Sequence, residues 1–196
     1  MSHHYFAIYK SCGYLSQFTR EVDTHKVLGD LYDFPKDVYA VGRLDRDSEG
    51  LLLLTNDKSL TDRLLNPKNQ HSRTYWVQVE GVPTAKALQQ LRRGVDIRIN
   101  KKTHRTRPAQ VQLFSSPPPL PERDPPIRFR ANIPTTWLSL TLTEGKNRQV
   151  RKMCAKVGLP VLRLVRYAIE DITIDSMNIG DVIEVDKDKL FEQLRL

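Results

Sequence analysis

Hydrophobic and polar positions alternate in short runs along most of the chain, and the period changes often. Tyr5–Lys10 reads as a strand. Asp37–Val41 and Leu51–Thr55 read as two short strands on either side of a polar insert. Arg73–Glu80 alternates about Tyr75, Val77 and Val79, the pattern of a half-buried strand. Further strands are expected at Val95–Ile99, Ala109–Phe114, Trp137–Thr143, Val161–Tyr167, Ile172–Ile174 and Val182–Val185. Helical spacing is rarer. Thr24–Tyr32 suits a short helix capped by Thr24, and Lys58–Leu65 another that Pro67 ends. Thr84–Arg93 has Thr84 as cap, Ala87, Leu88 and Leu91 as its apolar stripe and Gly94 as its stop. Asn147–Val157 is the clearest helix, because Val150, Met153, Cys154 and Val157 share one face. Asn147 is its expected cap, and Gly158 with Pro160 closes it. Lys189–Leu194 suits a last helical turn. Six prolines fall between 115 and 126, so that stretch is expected to be an extended surface loop. Many strands with few helices predict an α+β fold, a mixed and mostly antiparallel sheet with flanking helices.

The 196 residues suffice for one domain, or one domain in two lobes, with a core that needs no staples. Two cysteines, Cys12 and Cys154, make no disulfide framework and point to a reducing compartment. Apolar runs such as Leu51–Leu54 are far too short to span a membrane, and the N-terminus is not built like a signal peptide. A cytoplasmic protein with no membrane partner is expected.

Charge changes the picture more. Lys and Arg number 31 against 23 Asp and Glu, a formal net charge of +8. The last 27 residues, from Glu170, hold eight acids and three bases, so residues 1–169 carry +13. Two segments concentrate the excess. One runs from Arg92 to Arg107; the other holds Lys146, Arg148, Arg151, Lys152, Lys156, Arg163 and Arg166 with no acid between its ends. Such a field attracts polyphosphate in a salt-dependent way, although a solvated face would have the same composition.

The most unusual stretch is Gly42-Arg43-Leu44-Asp45-Arg46-Asp47-Ser48-Glu49-Gly50. Five of its seven inner residues are charged, and its flanking glycines suit a tight loop. Leu44 is expected to turn inward and to carry Arg43 and Asp45 to the border of core and solvent. An Asp at that border needs a cationic partner, or its pKa rises. Asp45-x-Asp47-x-Glu49-Gly50 imitates the start of a calcium loop, but its twelfth position is Asn56 and a leucine-rich strand follows. Paired-carboxylate glycoside hydrolysis needs two acids flanking a sugar, and here two arginines crowd them. A single Asp acting on a nucleoside among arginines makes use of both the acid and the arginines of the loop. No P-loop, CxxC, HExxH or GxSxG is present, and the five histidines show no ligand spacing, so no metal site is expected.

The run Gly42 to Leu52 resembles the signature of RNA pseudouridine synthases of the RsuA type. Arg73-Thr74-Tyr75 resembles that family's basic-x-Tyr element, and Glu144 to Met153 its third motif, in the same order. The resemblance extends from about Tyr5 to about Val185. Lys10-Ser11 departs from the family's usual Lys-Pro, and Arg73 stands where Lys is common. The resemblance implies the pseudouridine synthase catalytic fold in two lobes around a cleft. It also implies a single catalytic domain over 1–196, without the N-terminal S4 module that several members carry. With the Pro-rich loop leading into Ile133–Trp137, it points to the branch that acts on 23S, large-subunit ribosomal RNA.

The implied reaction breaks the N1–C1′ bond of a uridine, turns the base and reattaches it through C5, with no cofactor. By the same resemblance Asp45 is the catalytic carboxylate, as nucleophile at C1′ or C6 or as base at C2′. Arg151 is its basic partner, and Tyr75 is the residue that stacks on the flipped uracil. Arg43 and Arg46 would hold the extruded nucleotide or its phosphates. Lys146, Asn147 and Arg148, at a helix N-terminus, would bind phosphate with Lys152. The implied partner is large-subunit ribosomal RNA or its precursor, met by a monomer. Two other readings fit the same residues: a non-catalytic RNA-binding protein on this fold, and a nucleosidase that releases free uracil.

Overall fold

The computed structural model describes residues 2–128 and 130–196. Along the chain come β1 (Tyr5–Lys10), β2 (Tyr39–Ala40), β3 (Glu49–Thr55), α1 (Lys58–Leu65), β4 (Arg73–Glu80) and α2 (Ala85–Arg93). Then follow β5 (Asp96–Ile99), β6 (Lys102–Arg105), β7 (Gln110–Leu113), β8 (Thr135–Leu142) and α3 (Gln149–Lys156). The chain finishes with β9 (Val161–Ile169), β10 (Ile172–Thr173), β11 (Val182–Glu184) and α4 (Lys187–Gln193). The fold is α+β, with a mixed sheet. Two compact units divide the chain: residues 1–71 with 165–196, and residues 72–164.

In the first unit the strands stand in the order β11, β1, β3, β9, with β2 beside β3 and β10 beside β9. β3 and β9 run parallel; β1 with β3, β1 with β11 and β2 with β3 are antiparallel. Every residue of β1 and β3 is buried, so these strands have no solvent face. Phe6, Ile8, Leu28, Phe34, Val38, Leu44, Leu52 and Leu54 form one apolar cluster there. Helix α1 starts where the Asp57 carboxylate accepts the N–H groups of Ser59 and Leu60, and the Tyr5 hydroxyl donates to the same side chain.

In the second unit β4, β8 and β7 are successive antiparallel neighbours, and β5 pairs with β6 as a separate hairpin. Val77 and Val79 of β4, Leu138, Leu140 and Leu142 of β8, Leu88 and Leu91 of α2, and Met153 and Cys154 of α3 share its core. Burying each leucine there stabilises the unit by roughly 2 kcal/mol. Among the described residues no helix is long and apolar enough to cross a membrane.

Three departures from the sequence pattern have local causes. Thr24–Tyr32 is not a helix; only a 3-10 turn forms, at Leu28–Asp30. The backbone there is bonded sideways, with Leu15 N–H on Lys26 O and Leu28 N–H on Gln17 O, which leaves little for a helical ladder. Thr24 therefore caps nothing, and Asp30 instead takes the Val27 N–H. β6 is a strand although its sequence is charged. Asn100 and Lys101 both take positive φ, 48° and 65°, as a two-residue hairpin turn requires, and Ile99 then pairs with Lys102. Helix α4 starts at Lys187, because Asp186 accepts the N–H groups of Asp188 and Lys189. The described residues between β7 and β8, which include the six prolines, form no helix or strand.

Charge divides with the units. Residues 1–71 and 165–196 hold 13 Lys and Arg against 18 Asp and Glu, a balance of −5. Residues 72–164 hold 18 against 5, a balance of +13. The excess base of the chain therefore resides wholly in the second unit.

Candidate active site

In the first unit β2 leads out at Val41, whose N–H still bonds Leu53 O, and the chain then leaves the sheet until Glu49. Leu44 is the reason this polar loop lies down. It is 6% exposed and belongs to the apolar cluster, as its place in the insert predicts. Asp45 follows it at the edge of that cluster, half-buried, and its carbonyl accepts the Ser48 N–H at 3.0 Å to close a turn. Arg43 and Arg46 lie at the loop's outer side, Arg43 exposed. The loop is shorter than its glycines suggest, since Glu49 and Gly50 already belong to β3. Gly50 has φ +106°, and a Cβ on it would lie 2.3 Å from the Arg166 carbonyl oxygen. Close approach of β9 therefore demands this glycine.

Where the loop enters β3, ionisable side chains are buried: Glu49 itself, and Lys10 and Arg166, whose residues are both paired with Gly50. Lys10 ends β1 opposite Gly50, and its ammonium donates to Ser11 O at 3.0 Å and Tyr14 O at 2.9 Å. Burial lowers its pKa to about 8, with the nearby acids Glu49 and Asp47 acting in the opposite sense. Arg166 donates its Nε to Leu51 O at 2.7 Å. Arg163 is buried as well. Two members of the second basic segment, Arg163 and Arg166, are therefore parts of the interior and not of a solvated face.

In the second unit Tyr75 lies on β4 opposite Leu140, half-buried, and packs against the apolar core. Arg151 and Lys152 are half-buried on the first turn of α3. That helix starts at Gln149, one residue later than a cap at Asn147 would place it, and Asn147 does not cap it. Arg148 stands at the cap position with left-handed backbone, φ 51° and ψ 34°. The Gln149 side chain instead fastens the turn that leads into the helix. Its Oε1 accepts the Lys146 N–H at 2.9 Å, and its Nε2 donates to Glu144 at 2.7 Å. Glu144 also accepts the Arg107 N–H at 2.8 Å and meets His104 Nε2 at 3.1 Å. Burial pushes the Glu144 carboxyl up, but these hydrogen bonds together outweigh it and hold the group below the usual Glu range. The result is a closed loop that leaves Lys146, Asn147 and Arg148 exposed. Cys154, behind it, has its thiol pushed up to about 12 by burial and is inert packing.

The predicted residues thus fall into two groups. Arg43, Asp45 and Arg46 share one loop of the first unit; Tyr75, Lys146, Asn147, Arg148, Arg151 and Lys152 belong to the second. Sequence reasoning gave no separate role to Lys10, Glu144 or Gln149. Lys10 carried one signal, as the only charge in an otherwise apolar strand. Among the described residues no group of three or more His, Cys, Asp and Glu side chains is placed to hold a metal ion.

A family model described as RNA pseudouridylate synthase matches residues 4–156. The chain belongs to that family, and it is an RNA pseudouridine synthase, an isomerase. Among its relatives, the protein named ribosomal large subunit pseudouridine synthase E of Vibrio parahaemolyticus is 53% identical over 171 residues, 87% of this chain and 69% of that protein. The protein of the same name from Xanthomonas axonopodis pv. citri is 51% identical over 168 residues, 86% of each chain. Ribosomal large subunit pseudouridine synthase B of Bacillus subtilis is 34% identical over 92% of this chain and 67% of its own. A crystal structure of a pseudouridylate synthase superposes with a TM-score of 0.79, covering 98% of this chain and 74% of that one, at 24% identity. The likeness to it establishes a shared fold.

Proposed function

We propose that this enzyme converts one specific uridine of large-subunit ribosomal RNA, or of its precursor, to pseudouridine, and that Asp45 is the catalytic carboxylate. The observation that carries the substrate is about 50% identity, over most of the chain, to proteins named for that task. The base leaves its stack before chemistry begins. The N1–C1′ bond then breaks with Asp45 ionised, acting at C1′, at C6 or as base at C2′. The uracil turns, C5 bonds to C1′, and the proton on C5 is lost to solvent while N1 gains one. Arg151 is the basic residue that supports the reaction, on the likeness of Glu144–Met153 to the family's third motif. Tyr75 offers its ring to the flipped uracil. Arg43, Arg46, Lys146, Asn147, Arg148 and Lys152 contact the RNA, mainly through its phosphates. The catalytic domain extends over the whole of 1–196, and the enzyme works as a cytoplasmic monomer.

Release of label from RNA carrying 5-tritiated uridine tests the reaction, and carbodiimide mapping of ribosomal RNA from cells with and without the gene finds the site. The expected result is stoichiometric release by the wild type and none by Asp45→Ala, with RNA still bound. Undiminished pseudouridine with Asp45→Ala would overturn the assignment. Label retained at C5, with free uracil liberated, would mark a nucleosidase instead.

A further inference from the structure

We propose that Ser16 is a positioning residue for Asp45; the proposal rests on Asp45 being the catalytic carboxylate. Ser16 is buried, at 6% exposure, and its hydroxyl makes two hydrogen bonds to one residue of the loop. The Oγ donates to Leu44 O at 2.8 Å and accepts the Leu44 N–H at 3.0 Å. A side chain here does what a neighbouring strand would do. Leu44 O belongs to the peptide that joins Leu44 to Asp45, so Ser16 fixes the plane immediately before the catalytic residue. After it, Arg46 O accepts the Gly13 N–H at 2.8 Å, and the Arg46 Nε donates to Gly13 O at 3.2 Å. Asp45 is thus suspended between two pinned residues, and its own carbonyl is held by Ser48. Arg43, one residue further out, donates to Gln17 Oε1 at 2.8 Å.

The splint itself is held from behind. The Lys10 ammonium gathers Ser11 O and Tyr14 O, while Leu15 N–H and Gln17 O bond to Lys26 and Leu28. Residues 13–17 therefore form a braced segment laid along 43–46. Ser16 is the place where a side-chain substitution can loosen the peptide before Asp45 and leave the Gly13 bonds intact. A reacting group that strays by about 1 Å loses on the order of 100-fold in rate, whereas RNA affinity is spread over several cations, most of them outside this loop.

The test compares wild type, Ser16→Ala, Ser16→Thr and Asp45→Asn on 5-tritiated RNA, measuring kcat, KM and thermal midpoint for each. Ser16→Ala is expected to lower kcat by about 10- to 100-fold with KM within about twofold. Ser16→Thr, which keeps the hydroxyl, is expected to recover most of that loss. Should Ser16→Ala not fold, Ser16→Cys carries the test with the same expected loss, because its thiol is close in volume and bonds weakly. A kcat near wild type in Ser16→Ala, with Asp45→Asn inactive, would overturn the positioning role alone. Equal losses in the Ala and Thr variants, tracking the folded fraction, would overturn it too. Activity in Asp45→Asn would remove the reading on which it rests.

Discussion

Two charged loops of this protein are built in opposite ways. The loop at 42–48, in the first unit, is anchored by the apolar Leu44 and runs into a strand end where Lys10, Glu49 and Arg166 are buried. Its unit carries −5. The loop at 144–148, in the second, is closed by polar side chains, Glu144 and Gln149, and turns Lys146, Asn147 and Arg148 to solvent. Its unit carries +13. A carboxylate that reacts must be held still, and stillness comes from burial around it. A cation that meets phosphate needs only water on one side and a field of its own sign behind it. On the proposed reading, the reacting carboxylate and most of the grip on RNA fall to different units of one chain.

The largest effect expected under this division is at Asp45. Asp45→Asn should lower kcat at least about a thousandfold, about 4 kcal/mol of transition-state stabilisation, and leave RNA affinity within about twofold. Single-turnover tritium release beside a filter-binding titration measures both. Equal loss of binding and rate would break the division.

Next in size is the buried ammonium. The folded pKa of Lys10 lies below its unfolded value, so the folded state binds fewer protons between about pH 8 and 10.5. The cost of burying the charge is present in full below pH 8 and is relieved as pH rises through that window. The stability of the wild type relative to Lys10→Met should therefore rise by about 3 kcal/mol from pH 7 to pH 10.5, read from urea unfolding at both. A flat difference would mean that the first loop does not rest on a desolvated charge.

Glu144 has the opposite sign. Its folded pKa is lowered, so its contribution is present above the unfolded value and lost as pH falls through the folded one. Glu144→Gln should cost about 1–3 kcal/mol at pH 7, and the gap should close as the solution is acidified below the ordinary Glu range. Chemical denaturation at pH 7 and pH 3 checks it.

The smallest effect sharpens the contrast in charge. Arg148→Glu with Lys152→Glu should weaken RNA binding by about tenfold and reduce the salt slope by about 0.7 for each single-strand phosphate that is no longer neutralised. Neutralising Glu192 and Asp188 in the acidic unit should change affinity by less than about twofold. Affinity measured at several salt concentrations separates the two.

Much of this was legible in the residues alone. β1, α1, β4 and α2 lie where their periods place them, because each is decided by neighbours within a turn or a pleat. The inward turn of Leu44 could be foreseen, since a lone apolar residue among charges has one favourable place to go. The three motif blocks pointed to the family whose model matches residues 4–156. What only the tertiary structure decided was the fate of individual polar groups. Lys10, Arg163 and Arg166 are buried, Gln149 rather than Asn147 fastens the turn before α3, Asn100 and Lys101 turn a charged stretch into a hairpin, and Ser16 meets Leu44. The physical reason is range. An amphipathic pattern is written in adjacent residues, but whether a charge can be buried depends on partners distant in sequence. Arg166 finds Leu51 across 115 residues and Glu144 finds Arg107 across 37, and nothing in either local sequence specifies the other.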